Sequence, residues 1–188
     1  MSAGRAAAWA LAMGALLLGV DARGEESDVC QAEERGSWQA ELNAATLSVR
    51  PPVGGVLAGG RHVWRVGGWG LGAGGELAVF GLGAGPDWIG VLGGPTIAVE
   101  TPPMRLPARM GVATVTLGAA ADAGRLKVCN TWGICPHFRG LYPSATLGAR
   151  YVAHKHFDTG LAITARWIRT YVYEGISWEP VVGGRFFW

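Results

Sequence analysis

The stretch Trp178-Glu179-Pro180-Val181-Val182-Gly183-Gly184-Arg185-Phe186-Phe187-Trp188 decides the fold that we predict for this chain. In an extended strand, one face carries Trp178, Pro180, Val182, Phe186 and Trp188, and the other carries Glu179, Val181, Gly183, Arg185 and Phe187. A soluble domain gains little from a bulky apolar ring at its end, because termini fray in water. A strand that faces lipid does gain, since it presents an apolar stripe to hydrocarbon and an aromatic ring to the membrane boundary.

The spacing of Gly183, Phe186 and Trp188 is glycine, two residues, aromatic, one residue, aromatic. In this pattern the chain resembles bacterial outer-membrane β-barrel proteins, whose last strand ends in Phe or Trp and is recognised by the barrel-insertion machinery. Val181 stands where that family usually has a polar residue. The resemblance implies that the three residues form a barrel-assembly signal. It also implies two partners, outer-membrane lipid and the insertion machinery, and a location in the bacterial outer membrane.

The N-terminus predicts export from the cytoplasm. A short positive segment, Met1 to Arg5, precedes an uninterrupted apolar run over residues 6–20. That run is short for a membrane-spanning helix and typical of a signal-peptide core. Val20 and Ala22 supply the small residues expected before a cut, so cleavage after Ala22 is favoured and cleavage after Gly24 is the second choice. A short membrane anchor is the alternative.

The expected organisation is a cleaved signal peptide over residues 1–22, a periplasmic segment over 23–36 and an outer-membrane barrel over 37–188. Cys30 lies in the second segment after Ser27-Asp28-Val29, which lacks the small apolar residues that precede a lipid-modified cysteine. We expect Cys30 to be free or paired with a partner.

The amino-acid composition is typical of the wall of a membrane β-barrel. The chain is 49% hydrophobic, has 31 Gly and 9 Trp, and only 16% of its residues are charged. No second long apolar run follows the first, so the hydrophobic residues are dispersed as they are in membrane-spanning strands. A net charge of +2, without a nucleic-acid-binding motif, gives no reason to expect a nucleic-acid partner. The length suits an all-β, antiparallel up-and-down transmembrane β-barrel of about eight strands.

The alternation of apolar and polar residues, with a period of two, indicates the strands most clearly in the second half of the chain. In 144–154, for example, Ala145, Leu147, Ala149 and Tyr151 alternate with polar residues and glycine. The predicted strands are 37–49, 61–71, 75–83, 88–100, 110–120, 144–154, 160–173 and 178–188. Barrels of this kind begin and end in the periplasm. His156 to Asp158 is therefore predicted to be a periplasmic turn, and the longest connection, 122–140, an external loop.

That predicted loop contains Cys129 and Cys135. Two cysteines six positions apart in an exported chain indicate a local disulfide that clamps a surface loop. Metal binding by these cysteines and His137 is the alternative, but a fourth ligand is missing. We predict no metal site and no cofactor.

Four charged residues fall on the inward faces of predicted strands: Arg150, Arg166, Glu179 and Arg185. An eight-stranded barrel is too narrow for an open pore and fills its interior with side chains. Because buried charges persist only when they are paired, we predict a lumenal charge network that fixes strand register. A proton or ion path along the same charges is the alternative.

No catalytic residue is predicted. His156-Phe157-Asp158-Thr159-Gly160 has a faint similarity to the His-x-Ser dyad of lipid A deacylases, but Asp158 occupies the nucleophile's place. The expected function is therefore non-enzymatic, structural or adhesive through the external loops, with an external partner that the sequence does not identify. An envelope-lipid-modifying enzyme and a soluble secreted β-barrel carrier are the alternatives.

Overall fold

A computed structural model of the chain describes residues 37–48, 52–82, 88–106, 111–129, 134–154, 156–170 and 173–188. The predicted signal peptide, the 23–36 segment and Cys30 lie outside the described residues. Within these ranges, no helix is long and apolar enough to cross a membrane. The strands are β1 Trp38–Leu47, β2 Val53–Val66, β3 Trp69–Leu82, β4 Trp88–Glu100, β5 Met104–Arg105, β6 Val112–Val128, β7 His137–His154, β8 Phe157–Arg169 and β9 Glu174–Phe187.

Eight long strands close into a barrel. Each pairs antiparallel with its neighbours in the sequence, β4 pairs directly with β6, and β9 returns to pair with β1. The two-residue β5 adds only a short pairing at the start of β6. The predicted all-β, antiparallel up-and-down barrel of about eight strands is confirmed.

The predicted strand 61–71 is wrong, because a tight turn interrupts it at Gly67 and Gly68. These residues have φ values of 56° and 82°, and two successive positive φ values are typical of the two-residue turns that join β-hairpin strands. The glycine-rich segment before residue 61 was omitted from the prediction, yet it forms most of β2. Glycine carries no side chain, so it blurs the alternation by which a strand is detected.

The predicted external loop over 122–140 is also too long. β6 continues to Val128 and β7 begins at His137, so the connection is 129–136. Asp122, which the prediction placed in this loop, is fully buried inside the barrel. The predicted turn at 156–158 is likewise shorter, because β8 already begins at Phe157.

The two ends of the barrel differ in their connections. We call the end that holds Trp38 and Phe187 the terminal end; its connections are 67–68, 101–111, which contains β5, and 155–156. The prediction that the disulfide segment is the longest connection of the barrel is wrong, because 101–111 is longer than 129–136. At the opposite end, the loop end, the connections are 48–52, 83–87, 129–136 and 170–173. The disulfide segment is the longest connection at the loop end.

The outer face of the barrel is apolar. Large hydrophobic side chains point away from the lumen on every long strand, among them Leu42, Trp64, Leu77, Ile97, Leu117, Leu147, Ile163 and Trp178. Near the terminal end, Trp38, Trp64, Trp69, Phe186 and Trp188 are about half exposed. An apolar surface that surrounds a monomer is far larger than the patches that soluble proteins expose. It matches the lipid-facing band and aromatic girdle of a membrane barrel.

Closure of the barrel depends on a close approach between β9 and β1. Gly183 pairs with Asn43, and a Cβ at Gly183 would clash with the Leu42 carbonyl oxygen and with Asn43 Oδ1. Gly60, on β2, has room for a Cβ, whose nearest atom would be the Gln39 carbonyl oxygen at 3.7 Å. Of these two positions, packing requires glycine only at Gly183.

We predict that Gly183→Ala lowers the free energy of unfolding by about 1–3 kcal/mol, the usual cost of overpacking, and that Gly60→Ala leaves it nearly unchanged. Urea titration of the barrel in lipid vesicles, followed by gel migration without heating, measures both variants. Equal effects of the two substitutions would show that β9 and β1 do not approach as closely as described.

Candidate functional site

The lumen is the candidate functional site, and the first of its buried ion-pair clusters lies towards the terminal end. Arg185, on β9, donates from Nε to Asp158 Oδ1 at 3.0 Å and from Nη2 to Asp158 Oδ2 at 2.6 Å. Its Nη1 donates to Glu100 Oε2 at 3.0 Å. Asp158 is directly opposite on β8, whereas Glu100 reaches across the lumen from β4. Arg185 thus joins two carboxylates from different sides of the barrel.

Arg166 organises a second cluster farther along the lumen. It donates from Nε to Glu179 Oε1 at 2.8 Å, from Nη1 to Asp122 Oδ2, and from Nη2 to Glu76 Oε1 at 3.4 Å. These three carboxylates come from β9, β6 and β3, and the guanidinium is fully buried among them. A planar fork of five donors suits such a site better than a lysine would.

Arg150 and Arg61 form a third cluster with polar residues of β1. Arg150 donates to Asn43 Oδ1 at 3.3 Å and lies 3.8 Å from Glu41 Oε2. Arg61 donates to the same Glu41 oxygen at 3.4 Å and to Gln39 Oε1 at 2.8 Å. Glu41 therefore lies between two guanidinium groups, which compensate for the loss of hydration on burial.

The described lumenal ion pairs contain more acids than bases. Four arginines (Arg61, Arg150, Arg166 and Arg185) meet six carboxylates (Glu41, Glu76, Glu100, Asp122, Asp158 and Glu179). Among the described residues, Asp122 Oδ1 and Glu179 Oε2 have no hydrogen-bond partner. A cavity of about 60 Å³ lies between the Arg166 and Arg150 clusters, with Glu76 and Thr116 in its wall. It is large enough for a few water molecules but not for a pore.

An apolar layer fills the lumen towards the loop end. It consists of fully buried side chains that meet across the barrel: Leu47, Val53, Phe80, Leu92, Leu126, Val128, Tyr142 and Ile168. Such a layer excludes water and ions because it offers them no polar partner. The charged clusters are therefore separated from solvent at the loop end.

The loop over 129–136 is closed by a disulfide. Cys129 and Cys135 are joined, with their Cα atoms 3.9 Å apart. Within the described part of the chain, no group of three or more His, Cys, Asp or Glu side chains is placed to hold a metal ion. His137, the alternative third ligand, is exposed at the start of β7.

The residues of the considered hydrolase motif do not lie together on the lipid-facing surface. Asp158 is buried in the lumen on Arg185. His156 lies in the turn before β8, with Nδ1 3.1 Å from the Phe187 carbonyl oxygen. The strand serines Ser144 and Ser177 are also buried on the inward face. Asp158 and the two serines therefore point into the lumen and away from a lipid substrate.

The structure places the predicted site residues as follows. Arg150, Arg166, Glu179 and Arg185 are buried in the lumen, Phe186 and Trp188 are exposed on the outer face, and Gly183 faces inward at the β9–β1 seam. Sequence reasoning missed most of the acidic partners, which are Glu41, Glu76, Glu100, Asp122 and Asp158. The signal for Glu41 was present, because Gln39, Glu41 and Asn43 alternate with Trp38, Ala40 and Leu42.

The fold is similar to that of solved small outer-membrane barrels. Neisserial surface protein A superposes with a TM-score of 0.53 at 14% identity, over 80% of this chain and 96% of that one. The N-terminal β-barrel domain of Pseudomonas aeruginosa OprF gives 0.51 at 11% identity, over 82% of this chain and all of that one. No protein-family model and no curated protein matches the sequence. At these identities the similarity establishes the fold: a small eight-stranded barrel of the outer-membrane type.

We predict that a buried and an exposed ion pair differ sharply in their effect on stability. Arg185→Met leaves Asp158 and Glu100 without their shared cation and should lower the free energy of unfolding by about 3–5 kcal/mol. Glu174→Gln disrupts the Arg169–Glu174 pair, whose atoms are 3.6 Å apart and whose side chains are 76% and 54% exposed, and should cost less than about 1 kcal/mol.

Urea unfolding in lipid vesicles compares the two variants on one scale. A small effect of Arg185→Met, equal to that of Glu174→Gln, would mean that the lumenal cluster contributes no more than a surface pair.

Proposed function

We propose that this chain is a non-enzymatic protein of the bacterial outer membrane, a barrel closed to solutes that anchors a surface-binding loop. The observation that carries the proposal is a filled lumen inside an apolar outer face. A soluble carrier would have the opposite arrangement, with a ligand cavity inside and polar side chains outside.

The dimensions of the outer face support membrane insertion. Along β8, Phe157, Leu161, Ile163 and Trp167 point outward, and Arg169 follows at the loop end. At about 3.3 Å per residue and a tilt of about 35–45°, this strand rises roughly 30 Å. That height covers the hydrocarbon core of a bilayer, so one strand spans it once.

The side chains that fill the lumen support a barrel that is closed to solutes. The three arginine clusters extend from the terminal end to the middle of the barrel, and an apolar layer fills the lumen at the loop end, so any path along the axis would cross both. Moving an ion past Arg185 or Arg166 would require breaking short ion pairs in a site without bulk water. We therefore propose a structural role for the lumenal charges rather than conduction.

The loop over 129–136 is the proposed binding element. It is the longest connection at the loop end, and Ile134 within it is 64% exposed. The Cys129–Cys135 disulfide limits its conformations, which reduces the entropy lost on binding a partner. Exposed apolar surface on a clamped loop suits contact with a protein or a cell surface.

We propose Gly183, Phe186 and Trp188 as the signal for the barrel-insertion machinery. Phe186 and Trp188 lie on the lipid-facing side of the terminal strand, while Phe187 is buried and its ring centroid lies 5.4 Å from the Arg185 guanidinium. Recognition of the apolar stripe should therefore depend on the first two rings and not on Phe187.

Variants of these rings test the assembly signal. We expect Phe186→Lys and deletion of Trp188 to accumulate in the periplasm or to be degraded, because both remove apolar contact where the strand is recognised. Phe187→Ala should reach the outer membrane but unfold at lower temperature, since it loses about 3–5 kcal/mol of buried contact. Normal outer-membrane levels of all three variants would exclude this signal.

Cell fractionation and planar-bilayer recording test the proposed function itself. We expect the chain in the outer-membrane fraction, to migrate faster in cold detergent gels than after boiling, and to show no stepwise conductance. Recovery in the soluble periplasmic fraction would favour the secreted carrier, and stable conductance steps would favour a path through the lumen.

A further inference from the structure

A group of basic side chains lies on the outer face of the barrel at the loop end. Arg125 and Lys127 lie on β6, and His137 and Arg139 lie on β7. The register places Arg125 directly opposite Arg139, and Lys127 directly opposite His137. Directly opposed residues of an antiparallel pair have Cα atoms about 4.5–5.5 Å apart. We call these four residues the basic patch.

The positive charges of the basic patch are not balanced by acidic side chains among the described residues. None of its four members forms an ion pair with a described acidic side chain; at the same rim, Arg169 pairs with Glu174. Like charges that face each other across a strand pair are unfavourable. An anion between the two guanidinium groups relieves this repulsion, and charge-assisted hydrogen bonds from arginine to phosphate are stronger than neutral ones.

The neighbours of the basic patch are apolar and also point outward. On β4, Val91 is opposite Arg125 and Ile89 is opposite Lys127, and both are 48% exposed. On β7, Leu141 follows Arg139 by two positions towards the membrane and is 71% exposed. One continuous surface therefore has cations at the rim and hydrocarbon-facing side chains beside and below them.

The height of the basic patch matches a lipid headgroup. Each strand of the β6–β7 pair changes from apolar to cationic on its outward face over two residues, from Ala123 to Arg125 and from Leu141 to Arg139. On β8 the change from Trp167 to Arg169 occurs at a neighbouring position. Two residues correspond to about 7 Å along a strand, so on β6 and β7 the cations begin where the outward apolar residues end, while on β4 Val91 and Ile89 continue the apolar surface beside them.

We propose that the basic patch binds the phosphate groups of a phosphorylated lipid in the leaflet that faces the loop end. The inference rests on the proposed membrane location and extends it to a defined lipid site. Arg125 and Arg139 hold one phosphate between their guanidinium groups, Lys127 and His137 contact the same headgroup nearer the loop, and an acyl chain packs along Val91 and Leu141.

A lipid fits this surface better than a free anion or a polar macromolecule. A free anion would use only the cations and leave Ile89, Val91 and Leu141 without a role. A phosphorylated lipid uses both halves of the surface in the order in which they occur along the membrane normal. Arginine is also less strongly hydrated than lysine, which lowers the cost of binding phosphate at a hydrocarbon boundary.

The test compares lipid retention by three proteins: wild type, Arg125→Gln/Arg139→Gln, and Arg105→Gln as the matched control. Arg105 is exposed at the terminal end, so its substitution removes a charge far from the patch. Each protein is inserted into phosphatidylcholine vesicles that contain diphosphoryl lipid A, or the same lipid with both phosphates removed. Native mass spectrometry after detergent extraction then counts the lipid A molecules retained on each barrel.

We expect wild type and Arg105→Gln to retain diphosphoryl lipid A, and the double variant to retain at least about tenfold less, because two charge-assisted contacts are lost. Lipid without phosphates should be retained by wild type only at that lower level. Equal retention of the two lipids by wild type, or undiminished retention by the double variant, would overturn the proposal. Displacement of the lipid by inorganic phosphate would identify a site for free anions and would also overturn it.

Insertion is scored separately from lipid binding. Fast migration in cold detergent after insertion into plain phosphatidylcholine vesicles shows that each protein has formed the barrel. If wild type fails this step, the proposed membrane function is contradicted and the lipid site with it. If all three proteins insert and none distinguishes the lipids, only the lipid site is rejected.

Discussion

The interior of a narrow barrel must be filled by its own side chains, and every charge placed there must find a partner. In this chain the constraint is met chiefly by two arginines, each of which binds carboxylates from several strands. Arg185 links β9 to β8 and β4, and Arg166 links β8 to β9, β6 and β3. Because removal of one partner leaves an uncompensated buried charge, these contacts hold together strands that are distant in the sequence. Glu76 and Arg166, for example, are 90 residues apart.

The same network stabilises the seam at which the barrel closes. Arg150, on β7, donates to the Gly183 carbonyl oxygen on β9 at 3.2 Å and to Asn43 on β1 at 3.3 Å. The hydroxyl of Thr159, on β8, donates to the same carbonyl oxygen at 3.0 Å. The absence of a side chain at Gly183 lets β1 approach, and the polar groups around it then fix the register. The side chains that join β9 to β1 therefore also fill the lumen beside this seam.

The sequence predicted the parts of this structure that alternate regularly. The strands after residue 143 and the inward position of Arg166 follow from a period of two, because their outward residues are large and apolar. The alternation fails where glycine faces the lumen, as in β2 and β3, and there the strand boundaries were misplaced. Asp122 shows a second limit: a charged side chain after a run of small residues does not indicate a strand until a buried arginine from another strand is known to meet it. Pairing across a barrel is a tertiary property that local pattern does not encode.

The central claim is that the lumenal arginines bind carboxylates across the barrel. Solid-state NMR of the isotope-labelled chain in lipid vesicles tests it most directly, by measuring distances from the Arg185 guanidinium to the carboxyl carbons of Asp158 and Glu100. The account predicts contacts to both at hydrogen-bonding range, with guanidinium protons that exchange slowly with water. Guanidinium protons that exchange freely, with no contact to Glu100 on the far wall, would contradict it.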